Sequence, residues 1–387
     1  MCGLDPFRSG SPDGLAPTAA AKVLWRFRAD FATEYYGSPA VAGGRVYIGD
    51  NGGVVYCLDA ETGRQVWRFR ARKAVFSAPV VVGGRVYVGE GLHTDDDCRM
   101  HCLDAATGRL IWAFRTEGHC EGSALVDAAA GRLWFGAGGD GVYCLNLADG
   151  KKVWHRPGPH LDTGPVLVGG RLVFGTGYDG PGVYALDAAT GKPAWNSPVD
   201  IAAWSAPAVR GNRVIIGTGQ VRYGERITSK PADIRCLDSA TGKLVWIAPT
   251  PAAVMAAVCC PAGGDTAYAA AADGTVLALE SDTGRVRWTA KVGQGVMAGP
   301  VWLGAGSADG PNDGGLLITG VAGTVFLLDP ADGAVRRNWV LARDNGSFRE
   351  GFMSTPAVVG GRVFLGGLDG RVWCLGTPPA ADPPKRR

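Results

Sequence analysis

One phrase recurs along this chain and leaves it few folds to choose from: an acidic residue, a Thr-Gly pair shortly after it, and a Trp one short strand later. It reads Asp59, Thr62, Gly63 and Trp67; Asp104, Thr107, Gly108 and Trp112; Asp187, Thr190, Gly191 and Trp195; and Asp238, Thr241, Gly242 and Trp246. Variants stand at Asn146, Asp149, Gly150 and Trp154 and at Glu280, Thr283, Gly284 and Trp288. A degraded copy with two extra residues before the Trp stands at Asp329, Asp332, Gly333 and Trp339. From Trp67 to Trp339 the Trp residues are spaced by 45, 42, 41, 51, 42 and 51.

The unit over residues 43–67 can be read locally. Residues 45–48 are β-rich and apolar, and Asp50, Asn51, Gly52 and Gly53 form a tight turn because Asn and Gly accept positive φ. Residues 54–58 return as a strand. At 59–63 the Asp and Thr side chains can bond local amides while Gly63 takes the strained position. A further strand carries the Trp. A fixed period of this size, with four short strands per unit, is the signature of a β-propeller.

The ends complete the count. Residues 22–27, with Trp25, match a Trp strand that lacks its preceding strands, while residues 354–375 hold three strands and lack the Trp strand. Innermost strands are expected to begin near Ser38, Ser77, Ser123, Thr163, Ser205, Ala257, Ala298 and Ser354. The predicted fold is therefore all-β: an eight-bladed β-propeller of four-stranded antiparallel blades, its ring closed by the N-terminal strand joining the C-terminal blade. Sharing a blade between the termini leaves no open seam. Residues 1–20 read as a flexible arm, 21–376 as one propeller and 377–387 as a flexible tail.

Composition narrows the function. A net charge of +3 without a long basic run argues against nucleic acid as a partner. There is no run of 18 apolar residues, hence no transmembrane helix, and residues 1–6 do not form a signal peptide as they stand. That leaves a cytosolic protein or a chain whose start is missing. Of ten cysteines, Cys57, Cys102, Cys144, Cys236 and Cys374 share one repeat position. Packed sheets stand about 10 Å apart, too far for disulfides, so these five read as small buried apolar residues.

Loop variation marks one face. Second-to-third-strand turns and the links between blades emerge together, opposite the monotonous Thr-Gly turns. The long polar loops at 90–99, 220–233 and 342–352 lie on that face, whereas 304–315, rich in Gly and Asp, lies on the other. Variable loops on a rigid scaffold are where binding usually resides.

The Ala/Leu-x-Asp-x-x-Thr-Gly-x-x-x-Trp repeat resembles that of the pyrroloquinoline-quinone-type propeller superfamily, over roughly residues 22–375. Two branches of it matter: the quinoprotein alcohol dehydrogenases, and the family of the propeller lipoprotein in the outer-membrane β-barrel assembly machinery, which lacks the quinone and binds proteins. The resemblance implies that Trp25, Trp67, Trp112, Trp154, Trp195, Trp246, Trp288 and Trp339 pack onto neighbouring blades as stability residues. It implies a periplasmic or cell-envelope location. It also implies that a dehydrogenase would carry calcium ligands, a catalytic Asp and an adjacent Cys pair beside the quinone. This chain has close to the bare length of eight blades, and its one adjacent pair, Cys259 and Cys260, falls on an expected strand, where successive side chains point to opposite faces. The reading is a binding propeller with a protein or peptide partner, as a monomer or within a larger assembly. Its alternatives are a quinone-dependent dehydrogenase and a sensor propeller cut from a longer chain.

Two constellations could carry chemistry. All five His lie between positions 93 and 160. His93, Asp95, Asp97, His119, Glu121 and His160 fall on loops that share a face, and His, Asp and Glu are ligands for zinc or another divalent ion. No compact metal motif is present, so a polar hydrogen-bonded cluster with a Cys98–Cys120 disulfide stands as the competing reading. His101 occupies the repeat position of Tyr56 and reads as an interface packer, and His155 reads as a surface residue. The second constellation is the residue preceding each innermost strand. It gives Tyr36, Phe76, Gly122, Asp162, Trp204, Ala256, Met297 and Met353 around the channel mouth, able to grip a flat ligand or an apolar peptide, or simply to plug the ring.

Overall fold

The computed structural model describes residues 21–29, 33–177, 180–222, 228–304, 314–341 and 351–378. The expected loop segments 305–313 and 342–350, part of 220–233, and the arm and most of the tail fall outside these residues.

The strands form eight antiparallel blades in a ring. Blade 1 runs outward as Ala40–Ala42, Arg45–Gly49, Val54–Asp59 and Gln65–Arg70, and the later blades repeat it. The innermost strands are short, and Ser and Pro explain why. Pro79 cannot donate to a ladder, and ahead of it the Ser77 hydroxyl takes over, accepting from the Gly89 amide at 2.9 Å and bonding the Gly89 carbonyl at 3.0 Å. Blade 6 departs from the expected pattern. Its innermost strand is reduced to a single bridge, Cys259 to Tyr268, with Pro261 and a glycine turn following directly. Blade 5 carries an added hairpin, Val221–Arg222 with Thr228–Ser229.

Blade 8 is shared by the ends of the chain. Lys22–Phe27 is its outer strand and pairs with Val372–Gly376, Lys22 opposite Gly376 and Phe27 opposite Val372.

Adjacent blades are latched by the repeated Trp. Each indole N–H reaches the carbonyl that follows the acidic residue of the next blade's turn: Trp25 to Ala60, Trp67 to Ala105, Trp154 to Ala188, Trp195 to Ser239, Trp246 to Ser281 and Trp288 to Pro330, all at 3.0–3.1 Å. Each ring also lies over that turn's Gly. At Gly108, with φ +72°, a Cβ would stand 2.6 Å from the Trp67 ring, so the position needs glycine for its backbone and for the space. Trp112 departs from this pattern. Its counterpart carbonyl, Leu147, accepts from the Arg85 guanidinium at 3.0 Å, and the Trp112 N–H has no hydrogen-bond partner among the described residues.

The turns are held as their sequence dictates. Asp59 Oδ1 accepts from the Thr62 amide and hydroxyl at 2.9 and 2.8 Å, and Asp104, Asp187 and Asp238 repeat this with Thr107, Thr190 and Thr241. The five repeated cysteines are buried free thiols between sheets.

Candidate functional site

The face that gathers the inter-blade links is fixed by backbone hydrogen bonds: Val75 donates to Asp50, Cys120 to Glu90 and Leu161 to Gly138, each pinning a link to a turn of the blade before it. At its centre lies a cavity of about 260 Å³, bordered by Phe76, Glu121, Asp162, Trp204 and Met255.

The structure distributes the expected mouth residues unevenly. Phe76, Gly122, Asp162, Trp204 and Ala256 border the cavity. Tyr36 stands behind Phe76, the rings stacked with centroids 4.7 Å apart. Met297 is buried in the hydrophobic cluster built mainly from blades 5 and 6, and Met353, half-buried, packs against that cluster. Met255, one residue before the expected Ala256, contributes a methionine to the cavity wall instead.

Beside this cavity the histidines converge. His93 stands on the second-to-third-strand loop of blade 2, His119 just after its outer strand Leu110–Gly118, and His160 on the link from blade 3 to blade 4. The ring centroids form a near-equilateral triangle: 5.4 Å from His93 to His119, 5.6 Å from His93 to His160 and 5.4 Å from His119 to His160. Asp162 joins them. Its Oδ1 lies 2.9 Å from His119 Nε2 and 2.8 Å from His160 Nε2, and its Oδ2 lies 3.8 Å from His93 Nδ1. His119 is buried, and Gly138 makes room for it: at φ +52° this glycine lies against the imidazole, and a Cβ there would overlap the ring.

The remaining acids divide. Glu121 lies 3.9 Å from His93 on the cavity side. Asp95 is turned away, held by Lys73 at 2.9 Å and by the Leu92 amide at 2.8 Å. Asp97, in the left-handed region at φ 50°, pairs with Arg115 at 2.6 Å and Arg72 at 3.1 Å. Cations of blades 1 and 2 therefore claim these two carboxylates, and neither is in the histidine cluster. Cys98 and Cys120 are free thiols, so the disulfide of the competing reading is absent.

The electrostatics follow from burial and pairing. Burial pushes the Asp162 carboxyl up, but the hydrogen bonds and charges of His119 and His160 outweigh it and hold it at about 2. For His119, burial acts downward, yet the hydrogen bond and charge of Asp162, with Glu121 and Asp95 nearby, leave it above the ordinary histidine value. Glu121 is pushed up to about 7, first by burial and then by the Asp162 charge.

The other two histidines have separate work. His101 is buried, bonds Glu90 at 3.0 Å and meets Phe69 edge-on. It replaces the blade 1 pairing of Tyr56 with Asp50, at 3.2 Å. His155 is half-buried, stacked on Tyr143 with centroids 3.9 Å apart.

The part that sequence reasoning missed is Asp162 as the hub of the histidine cluster. A signal existed in the alternation His160, Leu161, Asp162. In an extended segment the first and third side chains share a side, and Leu161 between them is fully buried.

The adjacent cysteines do not fit a quinone seat. Cys259 belongs to the core between blades 6 and 7, while Cys260 packs against the cluster between blades 5 and 6. The two side chains thus leave opposite faces of one sheet.

Comparison with known proteins gives a consistent picture. The sequence profile of the family described as outer membrane protein assembly factor BamB matches residues 16–158, 138–225 and 226–381. Among solved structures, BamB from Moraxella catarrhalis superposes with a TM-score of 0.70 at 17% identity, over 94% of this chain and 100% of that one. The quinohemoprotein alcohol dehydrogenase of Comamonas testosteroni gives 0.68 at 14% identity, over 95% and 78%. The computationally designed Ika8 protein gives 0.70 at 16% identity, over 90% and 98%. No curated protein matches in sequence.

Proposed function

Because the chain belongs to the family of the outer membrane protein assembly factor BamB, we propose that it is a non-catalytic binding propeller that grips a protein or peptide partner at the channel mouth. The observation that carries this reading is the cavity bordered by Phe76, Trp204 and Met255, on the face where the second-to-third-strand turns and the inter-blade links emerge. Aromatic and methionine side chains offer large apolar contact, and methionine adapts to varied shapes. At about 260 Å³ the cavity is smaller than the roughly 300–1,000 Å³ of sites that engulf a drug-sized ligand; it suits one or two anchoring side chains of a chain lying across the mouth. The family description supports a partner engaged in outer membrane protein assembly in the cell envelope.

The second reading, a quinone-dependent dehydrogenase, has the shared fold of the alcohol dehydrogenase in its favour. The opposed Cys259 and Cys260 side chains weigh against it. One experiment separates the two. A photo-crosslinking residue is placed at Ala206, on the cavity wall, or at Ala240, in an exposed turn of the opposite face. The binding reading expects a discrete protein adduct from Ala206 and none from Ala240, and no dye-linked alcohol oxidation after addition of pyrroloquinoline quinone and calcium. Turnover in that assay, or equal adducts from both faces, overturns it.

A further inference from the structure

We propose that His93, His119, His160 and Asp162 form a binding site for a divalent transition-metal ion of the zinc class, which ties together the links of blades 2, 3 and 4 beside the channel mouth. The ligand atoms of these four residues all lie within 4.8 Å of one another. Three imidazoles and one carboxylate are a nitrogen-rich set that suits zinc and its first-row neighbours and does not suit calcium or magnesium, which prefer oxygen.

The arrangement differs from a chance meeting of loop side chains in three ways. His119 is 3% exposed and His160 and Asp162 are each 13% exposed, so three of the four candidates are fixed by the fold. Gly138 is shaped around the His119 ring, and the link carrying His160 and Asp162 is stapled to that same glycine by the Leu161–Gly138 bridge. The candidate ligands come from separate segments that converge on one point, and the Asp162 carboxylate already faces nitrogens of all three rings.

An ion at the centre would replace the hydrogen bonds between Asp162 Oδ1 and the His119 and His160 rings. Ligands about 2.0–2.2 Å from a tetrahedral ion stand roughly 3.3–3.6 Å apart; Asp162 Oδ1 lies nearer than that to the His119 and His160 nitrogens, at 2.9 and 2.8 Å, so these pairs would open slightly around an ion. The member that must swing inward is His93, whose Nδ1 lies 3.8 Å from Asp162 Oδ2 and whose side chain, on its loop, is 46% exposed. Four protein ligands fill a tetrahedral shell, the pattern of a structural site rather than a catalytic one. Filling it would clamp the blade 2 loop onto the blade 3–4 link and stiffen the mouth.

The test uses untagged full-length protein purified without chelator. Calorimetric titration with zinc chloride is expected to give roughly one ion per chain, displaced by no excess of calcium. Cobalt substitution is expected to give the intense visible bands of a tetrahedral nitrogen–oxygen site. Zinc is expected to raise the melting temperature of the wild type by a few degrees. His93→Ala removes the most exposed of the four side chains together with its contacts to Glu121 and Asp162, so in chelator it should stay folded and melt close to the wild type. It should nevertheless lose the zinc-induced shift and bind zinc more weakly by more than the roughly 10–100-fold that loss of an outer hydrogen-bonding partner costs. His160→Ala, which also loses the hydrogen bond to Asp162 and is read against its own melting point in chelator, should likewise lose the zinc-induced shift and bind zinc more weakly. Wild-type protein that binds no zinc, or His93→Ala and His160→Ala variants that bind it as tightly as wild type, would overturn the site.

Discussion

The indole nitrogen of Trp339 donates to the carbonyl oxygen of Ala21 at 3.1 Å, across 318 positions of sequence. Apart from Trp112, the other repeat Trp residues close the latch on the turn of the following blade. In blade 8 that turn would fall where the chain begins and ends, and the residue just ahead of Lys22–Phe27 supplies the carbonyl instead. Ring closure therefore rests on the outer strand and on the latch together.

Removing residues 1–30 takes away both. The Val372–Gly376 strand then becomes an exposed sheet edge, and Trp339 loses its acceptor. The expected outcome is aggregation or a large drop in melting temperature, measured by calorimetry and light scattering. A monomeric truncation that melts with the wild type would contradict this account of closure.

The latch can also be probed within the ring. Trp67 is 8% exposed, and Trp67→Ala should cost about 3–5 kcal/mol, the range for buried aromatic truncations. Gly108→Ala attacks the same contact from the other side, because it forces a Cβ against the Trp67 ring at φ +72°. It should cost more than the ~0.4–1 kcal/mol scale of compatible glycine changes, with the sign reversed. Urea titrations read both. If Gly108→Ala proves neutral, the Trp–Gly contact is not a tight latch.

Glu90 gives a pH dependence of known sign. It is fully buried. Burial pushes its carboxyl up, but the hydrogen bond from His101, the amides of Arg72 and Lys73 and the His101 charge outweigh it, so the group sits below its ordinary value of 4.5. A depressed carboxyl stabilises the fold fully above its unfolded value and loses that contribution as pH falls through the folded one. Unfolding free energies at pH 7 and pH 3.5 should therefore differ less in Glu90→Gln than in the wild type. An equal slope in both would remove Glu90 from the acid response.

Thiol chemistry checks the packing of the repeat. Burial pushes the Cys57 and Cys102 thiols up to about 11 and those of Cys144, Cys236 and Cys374 up to about 12. Thiolate is the reactive form, so native protein in a Cys2→Ser background should label slowly with a thiol reagent, and fully once unfolded. Rapid labelling of any of these five in the native state would count against their burial between sheets.

What could be read in advance, and what could not, divides along the range of the interactions. The blades, their number and the shared eighth blade follow from local signals: Gly at positive φ, Asp and Thr bonding their own turn, a Trp at a fixed offset. Each is settled within a few residues and then repeated, so the copies corroborate one another. The five repeated cysteines belong to the same class, since a shared repeat position is a shared environment. The repeat pattern predicts a regular inner strand in blade 6, where the structure leaves the single bridge Cys259 to Tyr268 ahead of Pro261 and its glycine turn.

The sequence by itself determined the propeller and the face on which the histidines lie. Only the tertiary structure decided which acid joins them. Asp95 and Asp97 are nearer His93 in sequence, but Arg72 and Lys73 of the link from blade 1 to blade 2 and Arg115 of the blade 2 outer strand draw them off. Asp162, from a link two blades on, takes the central place because the Leu161–Gly138 bridge sets it beside His119. It decided likewise that Met255 borders the mouth, that Met297 is buried in the core, and that Met353 packs against the core half-buried. Repeat periodicity assigns each side chain to a blade and a level. Where competing partners stand at that level depends on the curvature of the ring and on the path of loops outside the repeat, which no local pattern encodes.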